Sequence, residues 1–268
     1  MNHPLLERRL VLLTGAGLST DSGIPDYRGP GAPVRAPMTY QEFVSGHEAQ
    51  RRYWARAHVG WSRMSQAEPN PGHRAVAALE SQGRVELLVT QNVDGLHERA
   101  GSRALVALHG RISEVACLDC RRVHNRAGVQ GTMSALNPGY AHHHDAAVVR
   151  PDGDVDLDDT AGFVVPACES CGGRLKPDVV FFGENVPKDR VARCYAALDR
   201  ADALLVAGSS LAVMSGLRFV RYAAKAGLPV VIVNRGPTRG DDLATVRLEH
   251  GCSEFLTGLV EGAALTRA

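Results

Sequence analysis

Apolar residues come in short continuous runs, each ending on small or polar residues. Residues 10–13 (LVLL), 86–90 (ELLVT), 105–108 (LVAL), 203–207 (ALLVA) and 229–233 (PVVIV) are unbroken rather than alternating. That is the pattern of strands buried on both faces. Residues 245–248 form a shorter run before a last helix predicted near 253–260. Between the runs the composition turns helical: 40–64, where Phe43, Tyr53, Trp54 and Trp61 are mixed among arginines, 70–82, opened by Asn70-Pro71, and 214–226. Strand alternating with helix predicts an α/β fold with a parallel sheet. A further run, Val179-Val180-Phe181-Phe182, predicts a return to that sheet within residues 175–185.

The residues just past each run carry the chemistry. Gly15-Ala16-Gly17 turns the chain after the first strand with almost no side chain, so a pyrophosphate can lie against backbone N–H groups and the start of a following helix. The dehydrogenase fingerprint G-x-G-x-x-G is broken by Thr20, which weighs against hydride transfer. Ser19, Ile24, Asp26, Tyr27 and Arg28 extend the loop beyond a plain turn, and the glycines and prolines of 28–40 predict a flap that closes over a cofactor. Gln91, Asn92 and Asp94 end the second run, where open α/β sheets bind ligands; Asn92 and Asp94 can hold ribose hydroxyls or cap the next helix. His109 ends the third run and suits a general base, with His97 its competitor. Gly208, Ser209, Ser210, Asn234 and Arg235 come after later runs and suit phosphate and adenosine ribose.

Bulk composition narrows the class. The chain has 268 residues, net charge +1, 44% hydrophobic and 22% charged residues. A chain of this size buries roughly 75% of its unfolded surface and needs no covalent staples. Near-zero charge gives no reason to expect a nucleic-acid partner, and no run reaches membrane-helix length. The first residues lack a signal peptide's apolar region, so a cytoplasmic, monomeric protein with no membrane partner is expected. Cys117, Cys120, Cys168 and Cys171 form two C-x-x-C pairs, which together make a closed tetrahedral Zn²⁺ site of the structural kind. Cys194 reads as core. The residues between the pairs form an insert of low apolar content, in which His142-His143-His144 and residues 152–159 read as solvated loops.

The string TGAGLSTDSGIPDYRG (14–29), with TQNVDGLH (90–97), LHG (108–110), the paired cysteines, FGE (182–184) and GSSL (208–211), resembles the signature of the sirtuins, NAD-dependent protein-lysine deacylases. RYWARAHVGW (52–61) and LKPDVVFFGENV (175–186) look like their class II branch. The resemblance implies a Rossmann-like doubly wound parallel sheet at 1–36, 70–112 and 175–268. A helical module at 37–69 and a zinc-binding module at 113–174 would form a smaller domain. It implies deacylation that consumes NAD and releases nicotinamide and 2′-O-acyl-ADP-ribose, with His109 as base and Asn92 beside it in the catalytic machinery. Nicotinamide would lie near Ile24, Asp26, Asn92 and Asp94, with adenine against the backbone of Cys252. Acylated-lysine proteins or peptides would add a strand along Val180, Phe181, Phe182, Gly183 and Glu184, while Tyr53 and Arg56, three apart, match a pair that reads acidic acyl groups. Mono-ADP-ribosyl transfer to protein uses the same electrophile and is the alternative. A non-catalytic nucleotide sensor is disfavoured by Asn92, Asp94 and His109.

Overall fold

The apolar runs become the centre of a six-stranded sheet in a computed structural model that describes residues 5, 7–27, 37–141, 153, 155, 157 and 159–262. Its strands are β1 (Leu10–Thr14), β2 (Val85–Thr90), β3 (Leu105–Ala107), β7 (Ala203–Ala207), β8 (Val230–Val233) and β9 (Val246–Leu248). They run in the order β3-β2-β1-β7-β8-β9, and every pairing is parallel. Helices cover both faces, which is why the strands have no polar side. Leu10 and Leu12 face α3 (Pro71–Ser81) and α8 (Cys252–Glu261), through Val76, Leu79, Phe255 and Leu256. Val11 and Leu13 face α6 (Lys188–Leu198) and α7 (Met214–Lys225), through Leu198, Leu217 and Val220. The α/β, doubly wound reading therefore holds.

A second sheet is antiparallel, in the order β5 (Val123–Asn125), β4 (Gly110–Cys117), β6 (Leu175–Val179). The expected return to the main sheet at 175–185 is corrected here: β6 pairs with β4, and ladder pairing stops at Val179. Phe182 makes only an isolated parallel bridge to Thr39. The helical composition of 40–64 forms two helices, α1 (Tyr40–Val44) and α2 (His47–Gln66), broken at Ser45-Gly46. Thr39 caps α1 by accepting from the Glu42 N–H at 3.2 Å. The insert between the cysteine pairs contains a helix, α5 (Arg126–Leu136), that its composition hid. Residues 142–152 lie outside the described residues, as do positions 154, 156 and 158 of the acidic stretch and positions 28–36 of the expected flap.

Trp54 centres this smaller unit. It is fully buried and donates its indole N–H to the Leu175 carbonyl at 3.1 Å. The guanidinium of Arg126, 1% exposed, lies 4.6 Å from the Trp61 ring centroid and 5.5 Å from that of Trp54. It donates to the Ala57 carbonyl and to Gln130. No helix among the described residues is long and apolar enough to cross a membrane.

Candidate active site

β1 and β7 are neighbours whose outward connections run in opposite directions, so the sheet order reverses between them. In doubly wound folds the crevice outside the carboxyl ends at that point is the ligand site. Gly15 and Gly208 meet there. A Cβ on Gly15 would lie 2.7 Å from the Gly208 carbonyl oxygen, and the Gly17 N–H donates to that same oxygen at 2.9 Å. Gly208 has φ +68°, which favours glycine. The glycines are thus required by the approach of two loops. The helix expected after them is instead a pair of 3-10 turns, Ala16–Leu18 and Thr20–Ser22.

A polar chain floors the crevice. Asn92 Nδ2 donates to the Gly15 carbonyl and to Ser19 Oγ, each at 3.0 Å, and Ser19 Oγ donates to Asp94 Oδ2 at 2.7 Å. Asp94 Oδ1 also accepts the Leu96 N–H at 2.9 Å, so it starts α4 (Leu96–Arg99) as well. Burial pushes the Asp94 carboxyl up, and the Leu96 and Ser19 donors pull it back. Gln91 Nε2 donates to Ser209 Oγ at 2.7 Å, tying the loop after β2 to the loop after β7. Ile24 is buried beside the crevice; next to it Ser22, Gly23, Pro25, Arg63 and Met64 help to line a cavity of about 260 Å³. Asp26 and Tyr27 lie on the same loop, with Tyr27 exposed, and Arg28 falls outside the described residues.

His109 sits at the edge of this floor. Its Nδ1 is 2.9 Å from the Gln91 carbonyl oxygen and its Nε2 is 2.8 Å from Ser215 Oγ. A carbonyl can only accept, so Nδ1 carries the proton and Nε2 holds the basic lone pair. Burial lowers its pKa below the ordinary 6.5; the Gln91 bond opposes that and Arg190 adds to it. His97 is buried instead, with Nε2 3.0 Å from Thr14 Oγ1 and its ring against His73. It faces the core.

The far side of the crevice is the loop after β6. The Val180 N–H donates to the His109 carbonyl at 2.8 Å. Phe181 is buried and Phe182 is 40% exposed, with its carbonyl accepting from Tyr40 N–H. Gly183 turns the loop at φ +85°. Glu184 accepts the Phe181 N–H at 2.7 Å and pairs with Lys176 Nζ at 3.0 Å. Tyr53 packs on Phe181, 5.2 Å between centroids, and Arg56 donates to the Val155 carbonyl at 2.9 Å. Further along the same rim, Asn234 donates to the Arg235 and Gly236 carbonyls after β8, Ser210 lies on the loop after β7, and Cys252 begins α8. Sequence reasoning missed Ser215 and Lys176. Nothing local marks the first, which lies in the first turn of α7; a lysine inside a strand was the signal for the second.

The four paired cysteines converge, all four Sγ atoms lying within 4.8 Å of one another. Cys117 and Cys171 sulfurs are 3.6 Å apart, and those of Cys120 and Cys168 are 3.8 Å apart. A tetrahedral zinc with arms of about 2.3 Å has edges of about 3.8 Å. The donor set fits zinc and leaves no open position.

The model of the Sir2 family matches residues 15–215. The NAD-dependent protein deacetylase 1 of Mycobacterium avium (strain 104) is 53% identical over 260 residues, covering 96% of this chain and 92% of the relative. The NAD-dependent protein deacetylase of Bordetella bronchiseptica is 52% identical over 94% of this chain and 93% of its own length. A solved complex described as Sir2-p53 peptide-NAD+ superposes with a TM-score of 0.75 at 33% identity, covering 96% of this chain and 95% of that one. Another, Sir2Tm bound to a propionylated peptide, gives 0.73 at 32% identity and covers 96% and 94%. With that family's model matching across three quarters of its length, and relatives half identical along nearly all of it, the chain belongs to the Sir2 family.

Proposed function

We propose that this protein is an NAD-dependent protein-lysine deacylase, of the class II branch that residues 52–61 and 175–186 resemble. One observation carries the reading: a neutral histidine with its basic nitrogen free of the backbone stands between a switch-point crevice and the loop that follows β6. NAD, when bound, supplies a ribose carbon that becomes electrophilic as nicotinamide leaves. Gly15, Ala16, Gly17, Gly208, Ser209 and Ser210 form the rim that takes its phosphates, and Asn234, Arg235 and Cys252 take its adenosine end. Asn92, Ser19 and Asp94 hold the polar floor, where a ribose and carboxamide are oriented without reorganising the site. His109 Nε2 takes the proton of a ribose hydroxyl. Val180, Phe181, Phe182, Gly183 and Glu184 present backbone to an extended acyl-lysine peptide, with Phe181 as channel wall. Tyr53 stands behind that wall and Arg56 one turn further along α2. Positioning two reactants contributes about 7–11 kcal/mol, which explains so sparse a set of reactive groups. Zinc, held by the four cysteines, acts in folding only.

The test is a panel of acetyl-, long-chain- and acidic-acyl-lysine peptides incubated with NAD, read by mass spectrometry for nicotinamide and O-acyl-ADP-ribose. H109N should lose acyl transfer by at least about a hundredfold. Because the base works unprotonated and its pKa is lowered, kcat/KM should hold below pH 6.5 and fall only at more acid pH. ADP-ribose appearing on protein, unaffected by H109N, would overturn the assignment.

A further inference from the structure

His109 is held at both ring nitrogens by elements from opposite sides of the switch point. Its Nδ1–H is spent on the Gln91 carbonyl after β2, at 2.9 Å. The neutral ring then has one lone pair, on Nε2, and the nearest donor to it is the Ser215 hydroxyl, 2.8 Å away in the first turn of α7. Ser215 is half-buried and its neighbour Met214 is exposed. Gly216, next along α7, is packed so closely on Gln91 that a Cβ there would lie 2.6 Å from Gln91 Oε1. The loop after β2 and the first turn of α7, which hold the imidazole, are therefore packed together at Gln91 and Gly216. The charged group acting on the ring is Arg190 of α6.

We propose that Ser215 is a positioning residue for the base. Its hydroxyl fixes the plane of the His109 ring and keeps Nε2 directed at the crevice mouth, where a substrate hydroxyl replaces it without the ring having to turn. An imidazole lone pair accepts one strong hydrogen bond at a time, so Ser215 and the substrate hydroxyl occupy the same place in succession. The assignment rests on the deacylase reading for its kinetic consequence, though not for the ring geometry itself. Nicotinamide departure does not require the base, whereas deprotonation of the ribose hydroxyl does. Ser215 should therefore matter to the second event and not the first.

The experiment compares wild type, S215A and S215T. In S215A, kcat for acyl-lysine consumption should fall about tenfold, as expected for a misaimed base, with KM for NAD within about twofold. Exchange of labelled nicotinamide into NAD should stay at the wild-type rate. S215T, which restores the hydroxyl, should recover transfer to within about threefold of wild type. Ring nitrogen spectra of the unliganded protein should show His109 as the Nδ1–H tautomer in both wild type and S215A, with the Nε2 resonance displaced in S215A, where its hydrogen bond is lost. Equal loss of exchange and transfer, no loss at all, no rescue by threonine, or an unchanged ring spectrum would each overturn the proposal. A wild type inactive on every peptide, but with the ring spectrum altered in S215A, would sink the deacylase reading and leave the Ser215 contact standing.

Discussion

Two buried histidines each make the fold less stable in acid. His73 and His97 pack edge to face, 4.7 Å between centroids, and among the described residues neither His73 Nε2 nor His97 Nδ1 has a hydrogen-bond partner. Burial lowers both pKa values, that of His73 from 6.5 to about 4 and that of His97 well below 6.5. A histidine that is harder to protonate when folded favours folding fully above pH 6.5. Between 6.5 and about 4 the unfolded chain binds the extra proton and stability falls. For His73 alone the loss is on the order of 3 kcal/mol. H73Q keeps an acceptor for the Asn70 N–H that now bonds His73 Nδ1, yet does not titrate. Its denaturant midpoint should therefore decline less than wild type's between pH 7 and 4.5, and an equal decline would refute the account. At this scale the sequence showed its strongest signals. His109, Asn92 and the four cysteines are polar residues at positions where a bland strand end or turn would not put them. Ser215 was illegible because its partner is 106 positions away. Its meaning comes from which helix turn abuts which strand end.

Elements were legible where burial is total. The central strands are apolar on both faces, so their runs can be read directly. β6 was misread because Lys176, Pro177 and Asp178 interrupt it, shifting the apparent strand onto Val179-Phe182. The lysine has its own reason to be there. Lys176 Nζ, largely buried, pairs with Glu184, donates to the Val179 carbonyl at 2.6 Å and lies 4.7 Å from the Phe181 ring centroid. With Glu184 also accepting from Phe181 N–H, the pair clamps the loop at 180–184 into its turn. K176M leaves a carboxylate without its cation and should cost about 2 kcal/mol, less than a fully buried pair because Glu184 keeps some solvent. The K176M/E184Q double variant should recover part of that loss, and a non-zero coupling energy in this cycle is the check. KM for the acyl peptide should rise in both single variants, while KM for NAD stays put. α5 went unseen for a related reason: Gly128 and Gly131 dilute its helical composition, and its anchor is the buried Arg126 stacked on two tryptophans.

For the whole molecule, the apolar runs announced the parallel sheet and the cysteine pairs a metal cluster, but nothing in the sequence announced the partnership of β4 with β6. That pairing joins residues more than fifty positions apart, and apolar patterning cannot register it. The four sulfurs link the turn after β4 to the turn before β6, so the metal should govern the smaller sheet and leave the larger one alone. Elemental analysis should find about one zinc per chain. Chelation should then lower the melting temperature and split unfolding into two transitions, the far-ultraviolet signal of the parallel sheet surviving the first. A single unchanged transition would show the metal to be dispensable. The chain leaves the parallel sheet at Ala107, passes through His109 and enters the antiparallel sheet at Gly110, while the His109 carbonyl also anchors Val180. The imidazole thus rides on the pivot between the two bodies. A shift of one sheet against the other would therefore also turn the ring, because its backbone is tied to both.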